Sequence, residues 1–463
     1  MRPAAVLSAF PCTDSLARNA FTILMESYRG RVGLRRFSVH TSRCTDGVYR
    51  ELTEMRVRRP WIEAFRESQR KGDTQSVNAQ TACPPKLDLT PKTMADSYVR
   101  LILPLGQDPW MLDTYANVSG QIRIGTLLMD LDAMAGVVAY KYTGEGVSTV
   151  TAAVDRITIQ NPLTDICDLE LSGQVTFATG RSSMEVTLQI ARAPAAGSQV
   201  APSDVFMTCA FTMVALDPIS KRPTNVAPLR VESEADKALY AQGQQNYNSK
   251  KALKSSHITA KPPDGEESKL IHRMWTESLA YADKRNPAQQ PGNVVAMAKT
   301  SVHSTAIMQP QYRNRHNFMI FGGYLLKQTF ELAFTCAAAF SHTRVNFVNL
   351  DPSTFEESVP VGSVLYISAG VTYTEPDTHK GGTRIQVMVS THVRNVEHAE
   401  RKNTGTFFYT FHSEQDIGVL PQTYSEFMRW ISGRRRARRL DAEVPTDREQ
   451  PMLRGSQQGN VTE

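Results

Sequence analysis

The chain has 463 residues, 41% hydrophobic and 21% charged, enough apolar material for two or three cored domains at roughly 100–200 residues each. No apolar run approaches the roughly 18 residues of a membrane-spanning helix, the nearest being 133–140, which argues against a helical membrane protein. The six cysteines form no CxxC pair, against a zinc knuckle or redox dithiol, and the formal charge of +6 is spread unevenly.

Residues 1–45 hold seven arginines, no lysine and nine Ser or Thr, with Asp14 and Glu26 as their acids, so they supply a net +5 and leave the remainder near neutral. That is the composition of a mitochondrial transit peptide, with processing expected near Arg35-Arg36-Phe37-Ser38; a disordered basic arm is the alternative. Residues 46–92 read as an N-terminal extension and linker, polar and proline-marked in their second half.

A first domain is expected over 93–216. Its core is Gly125-Thr126-Leu127-Leu128-Met129-Asp130-Leu131-Asp132-Ala133-Met134-Ala135-Gly136, a glycine opening an apolar helix. Four segments follow, 149–160, 169–179, 184–192 and 205–216, in which apolar and polar residues alternate. Period-two alternation is the strand signal. Asp132 lies beside the buried helix face, where a carboxylate suits proton abstraction from water. Asp130, two positions away, points elsewhere and reads as solvated or bound to a local partner.

The connector, 217–292, carries two helix candidates with capping signals, Ser233 with Asp236 and Asp264 with Glu267. A second domain over 293–416 then repeats the first. Asn314-Arg315-His316-Asn317-Phe318-Met319-Ile320-Phe321-Gly322-Gly323 leads into another apolar helix, followed by strand segments 345–350, 364–373, 384–393 and 406–412. Gly125 and Gly323 are 198 positions apart, and so are Thr212 and Thr410, a constant offset that marks duplication. Each half reads as one long helix on an antiparallel sheet, an α+β unit. Residues 417–463 carry Arg434-Arg435-Arg436 and Arg438-Arg439; without interleaved aromatics or a nucleic-acid module these read as a solvated, disordered basic tail. Cys209 and Cys336 read as small core residues.

The paired glycine points to thioester chemistry. A thioester carbonyl becomes an oxyanion when attacked, and the free N–H groups and positive dipole end of a helix's first turn stabilise that charge. Gly322 and Gly323 let the carbonyl approach this backbone. Asn314 has the amide to hold the water or the thioester oxygen, with Asn317 competing for the role. His316 has neither a serine elbow nor a cysteine beside it and is not read as catalytic. Phe330 stands at the Asp132-equivalent position, and Glu331, one place on, is rotated about 100° from it and reads as a structural acid. With a single glycine at 125 and only Asn117 near it, the second pairing lacks its base, so one working site is expected per chain.

Together with Asp96-Ser97-Tyr98, Leu101-Ile102-Leu103-Pro104-Leu105-Gly106, Gly180-Arg181-Ser182-Ser183-Met184-Glu185-Val186, Pro310-Gln311-Tyr312-Arg313-Asn314, Glu331-Leu332-Ala333 and Pro421-Gln422-Thr423-Tyr424, these stretches resemble the double hot-dog acyl-CoA thioesterases, their mitochondrial members above all. The resemblance covers about residues 90–433 in order. It implies tandem hot-dog domains, each a long helix wrapped by an antiparallel sheet. It also implies hydrolysis of fatty acyl-CoA to fatty acid and CoA, without metal or other cofactor, at one site where the domains meet. An Asp from one domain and an Asn from the other complete that site in the family: Asp132 matches the first and Asn314 the second. The stretch from Asn314 to Phe321 is a residue longer than in the animal members, so Asn314 and Asn317 both stay open. Asn317 and Phe321 are expected against the substrate. A homo-oligomer in the mitochondrial matrix, with no nucleic-acid partner, completes the expectation. A hot-dog hydratase would need an Asp and a His at one helix entrance, and no such pair is present. A non-catalytic acyl-CoA scaffold or sensor would keep the groove without the acid that Asp132 supplies.

Overall fold

Both glycine-led apolar runs become long helices, and the computed structural model wraps them in one continuous sheet. The structure describes residues 88–443 apart from 145, 196–197, 219, 256–260, 283–288, 315–318 and 397–399, together with Val48, Leu52, residues 60–72 and Leu453. The expected transit peptide, His316, Asn317 and the tail from 444 on, Leu453 aside, therefore lie outside the described residues.

Helix α1 (Trp61–Gly72) is followed by β1 (Lys92–Thr93), β2 (Val99–Leu103), α2 (Pro109–Tyr115) and the long α3 (Ile124–Thr143). Strands β3 (Ser148–Val154), β4 (Ile157–Ile159), β5 (Leu169–Ala178), β6 (Ser183–Arg192) and β7 (Val205–Leu216) complete the first unit. After β8 (Leu229–Arg230) come α4 (Glu234–Ser255) and α5 (Gly265–Ala282). The second unit runs through β9 (Val294–Ala296), β10 (Val302–Ile307), the long α6 (Gly322–Ser341), β11 (Asn346–Leu350), β12 (Ser353–Thr354), β13 (Val364–Pro376), β14 (Thr383–Arg394) and β15 (Arg401–Ser413). Strand β16 (Gly418–Leu420) and helix α7 (Tyr424–Glu443) close the described chain.

Twelve strands form one antiparallel sheet in the order β10-β13-β14-β15-β11-β4-β7-β6-β5-β2, with β3 paired to both β7 and β12. The units join where Asn349 faces Thr158 and Leu350 faces Ile157, and where Ser353 faces Val154. Each half is a hot-dog unit, its sheet curled around its own long helix. Every residue of 124–135 is buried, because the sheet covers one side of α3 and α6 the other. Leu127, Leu128 and Leu131 are fully buried, each contributing about 1.5–3 kcal/mol by area. All ten residues of β5 are buried as well, since α3 lies against one face and α4 against the other. Helix α7 covers the outer face of β13 in the second unit.

The capping signals of the connector are present as reciprocal bonds. Ser233 and Asp236 exchange two hydrogen bonds of 3.1 Å at the start of α4, and Asp264 and Glu267 exchange bonds of 3.1 and 2.9 Å at the start of α5. The arginines expected in a solvated tail are instead built into α7. Arg435 holds both carboxylate oxygens of Glu267, at 2.8 and 2.6 Å, and Arg434 and Arg438 share Glu266 Oε1 at 2.6 and 3.0 Å. Arg436 is half-buried, its guanidinium 3.5 Å over the Phe408 ring and bonded to Gln386 Oε1. The charge run misled because its acidic partners sit at the start of α5, some 170 residues earlier.

This clamp has a pH signature. The Arg435 guanidinium holds the Glu267 carboxyl below its ordinary 4.5, so the pair contributes fully above pH 4.5 and is lost as pH falls through the lowered value. Arg435→Ala is expected to destabilise the protein by about 1.5–3 kcal/mol at neutral pH, the worth of hydrogen bonds to a charged group. Thermal scans by circular dichroism should show that gap shrinking in acid; a gap independent of pH would mean the pair carries no stability.

Candidate active site

Helix α6 begins with a deficit. Its N-cap, Phe321, has an extended backbone (φ −80°, ψ 154°) and no side-chain oxygen, so the N–H groups of the first turn need an acceptor from elsewhere. Asp132 supplies it: the Gly323 N–H donates to Asp132 Oδ2 at 2.6 Å across 191 residues of sequence. Asp132 is 3% exposed, and its other oxygen, Oδ1, accepts from Thr151 Oγ1 at 2.7 Å. Thr151 comes from β3, at the point where the β3–β7 pairing shifts register before Ala153. Such an irregularity re-aims side chains.

The glycines are required by proximity. A Cβ at Gly323 would stand 2.6 Å from Phe321 Cε2, 2.7 Å from the Met129 backbone oxygen and 2.8 Å from Asp132 Cβ. At Gly322 it would meet Phe355 Cζ at 3.2 Å and the two Asp132 carboxylate oxygens at 3.3 and 3.4 Å. The backbones of α3 and α6 thus approach more closely than any side chain permits. Asn314 is half-buried shortly before α6, its N–H donating to Met319 O at 2.7 Å while Arg313 bridges Ile320. Tyr312 stacks on Tyr324 at 4.1 Å. Asp132, Phe321, Gly322 and Gly323 therefore converge, with Asn314 in the segment before them, and two residues that carried no sequence signal, Thr151 and Phe355, join them. A threonine in a strand and a phenylalanine in a loop look ordinary until their neighbours are known.

The entrance of α3 mirrors this arrangement without an acid at the Asp132-equivalent position. Phe330, at the Asp132-equivalent position, is packed among Phe347, Tyr409 and Phe411. Glu331 was expected to turn away from this entrance, yet its Oε1 would lie 2.9 Å from a Cβ at Gly125. Its longer side chain makes up for the rotation. The carboxylate is held there by Arg123, the N-cap residue of α3, whose Nε donates at 2.8 Å. Asn117 Oδ1 accepts from the N–H groups of Ser119 and Gln121, as a turn residue does. With Asp132 at the start of α6 and Glu331 at the start of α3, the helices lie antiparallel. Asp130 is fully buried rather than solvated, accepting from Tyr115 Oη at 2.5 Å; a helix covered on all sides leaves its i and i+2 residues both inside.

Cys209 and Cys336 are buried free thiols, and burial pushes the Cys336 thiol up to about 12, so neither is poised as a nucleophile. Among the described residues no group of three or more His, Cys, Asp or Glu could hold a metal ion, and no helix is long and apolar enough to cross a membrane. What the arrangement offers is one buried carboxylate, fixed by an N–H and a hydroxyl, beside the positive end of a helix.

The chain is similar in sequence to known proteins. The chain is 33% identical over 372 residues to acyl-coenzyme A thioesterase 9, mitochondrial, of Bos taurus, covering 78% of this chain and 82% of that protein. It is 31% identical over 379 residues to acyl-coenzyme A thioesterase 10, mitochondrial, of Mus musculus, covering 79% and 82%. It is 30% identical over 404 residues to acyl-coenzyme A thioesterase 2, chloroplastic, of Humulus lupulus, covering 83% and 89%. No family model matches the chain.

Proposed function

Since this chain belongs to the acyl-coenzyme A thioesterases, we propose that it hydrolyses fatty acyl-CoA to free fatty acid and CoA at one site per chain, where α3 of the first unit meets the start of α6 of the second. The observation that carries this reading is the bond from Gly323 N–H to Asp132 Oδ2. Asp132 acts as general base. It takes a proton from water, the water oxygen bonds to the thioester carbonyl carbon, and the carbonyl oxygen becomes an oxyanion. The N-terminal end of α6 stabilises that charge, with Gly322 open to the substrate and Asn314 or Asn317 supplying an amide. Collapse breaks the C–S bond, and the proton on Asp132 passes to the CoA sulfur.

Because Gly323 N–H already points at the carboxylate, its part is to orient the base, as Thr151 does from the other side. Among the described residues each carboxylate oxygen thus has a tether that fixes its direction. Release of free CoA thiol from acyl-CoA by the purified protein tests the activity, and binding without release would replace it with a scaffold role. Thr151→Val removes one tether and keeps the shape. Its kcat should fall about 10- to 100-fold, the equivalent of a hydrogen bond to a charged group, with KM little changed. An unaltered kcat would remove Thr151 from the site.

The relatives are named as mitochondrial proteins in two cases and chloroplastic in the third. Together with the acid-poor, arginine-rich start, this supports a mitochondrial location, and the matrix is the compartment proposed. Residues 1–45 fused to a fluorescent protein should direct it into mitochondria. Diffuse cytosolic signal would count against that address.

A further inference from the structure

Helix α7 covers the outer face of the second unit at one end, where Trp430 meets Tyr373 edge-on and Arg436 bonds Gln386 Oε1. Toward the other end the inward residues Leu365, Ile367, Val389 and Val393 are buried on the α6 side, while the outward ones stay half-buried or exposed. The first unit differs. The outer face of its β5 lies under α4, and all ten residues of that strand are buried.

Strand register decides which side chains meet on the open end. Tyr366 of β13 stands opposite His392 of β14, and Arg394 of β14 opposite Arg401 of β15. Side chains directly opposite in antiparallel strands share a face, with Cβ atoms about 4.5–5.5 Å apart. Tyr366 and His392 accordingly stack, centroids 4.9 Å apart at 3°, and the Arg394 guanidinium lies 5.5 Å over the Tyr366 ring.

Arg394 and Arg401 break a rule of sheet design. Like charges directly opposite across two strands are destabilising, and among the described residues neither guanidinium has an acidic partner. His392 feels both of them: burial, then Arg401 and Arg394, hold its imidazole below the ordinary 6.5. An anion lying between the two guanidinium groups turns their repulsion into two charge-assisted attractions. Phosphate suits the pair, because the planar guanidinium matches its oxygens two at a time and because two cations balance a doubly charged group better than a single carboxylate. The cation–π contact with Tyr366 holds Arg394 in place for it.

We propose that Arg394, Arg401 and His392 form a binding site for a phosphate group on the outer face of the second unit, across the sheet from α6. The site is separate from Asp132 and does not depend on the thioesterase reading.

The test titrates the purified protein with pyrophosphate by isothermal calorimetry, and in parallel floats it with phosphatidylcholine vesicles with and without an anionic phospholipid. Low ionic strength is required, since salt at 0.1 M screens exposed charges beyond about 10 Å. Heat of binding with pyrophosphate supports a soluble phosphate ligand, and capture by the anionic vesicles alone supports a lipid headgroup. In either case Arg394→Gln and Arg401→Glu should weaken binding about 10-fold or more, the equivalent of one hydrogen bond to a charged group. Arg401→Glu should at the same time raise the melting temperature, because an opposite-charge pair replaces a like-charge one. Loss of binding through unfolding would move that temperature the other way. No binding of either probe by the parent protein, or binding unchanged in both variants, would overturn the proposal.

Discussion

Asp132→Asn is expected to lower kcat for acyl-CoA hydrolysis by about 10²- to 10⁴-fold, the usual worth of a general base, with KM little changed. Asparagine is the informative replacement because Asp132 has two jobs. Its Oδ2 caps the start of α6 through Gly323 N–H, where the N-cap Phe321 makes no side-chain bond of its own, and its charge and basicity serve the water. An asparagine amide oxygen can accept the same N–H and so keep the cap, while it cannot take a proton. Alanine would lose both, adding about 0.5–2 kcal/mol of instability from the missing cap. Thermal unfolding of the asparagine variant should therefore stay near the parent's while turnover collapses. A folded variant with near-parental kcat would remove Asp132 from the chemistry.

Gly323→Ala should be nearly as damaging, for a geometric reason. The new Cβ would meet the Met129 backbone oxygen at 2.7 Å and Asp132 Cβ at 2.8 Å, and a backbone oxygen inside α3 cannot swing aside as a side-chain tip can. The helices must separate, and the bond to Asp132 Oδ2 lengthens with them. Alanine gains about 1 kcal/mol of helix propensity over glycine, but overpacking of this kind costs about 1–3 kcal/mol, so the net change is destabilising or near neutral. Activity carries the larger signal, since displacement of a catalytic group by about 1 Å costs on the order of 10²-fold. Gly322→Ala makes the contrast: its neighbours are side-chain atoms, the Phe355 ring tip and the carboxylate oxygens at 3.2–3.4 Å, so a shift of a few tenths of an ångström accommodates the methyl with less loss of stability. Measured kcat and melting temperature for both variants decide the matter; full activity in Gly323→Ala would show that the close approach of the helices is unnecessary.

The sequence alone determined a good part of this protein. The apolar runs after Gly125 and Gly323, the alternating segments behind them and the 198-residue offset made two helix-and-sheet units legible, and the reciprocal caps at Ser233 and Asp264 were readable from residues three apart. These are local signals: helical periodicity, strand alternation and capping depend on neighbours within a turn or two of the backbone. The tertiary structure decided the rest. Asp132 gains its meaning from Gly323, 191 residues on, and Thr151 and Phe355 from a register shift and an inter-unit bridge that no local pattern encodes. Asp130 is buried because α3 is enclosed on every side, and the α7 arginines are paired because α5 lies beside them. Glu331 reaches the mirror entrance because its side chain is long enough to offset one residue of helical rotation. Periodicity states which face of an element is buried, but which group waits on the other side depends on how distant elements pack, and only the folded chain brings those elements together.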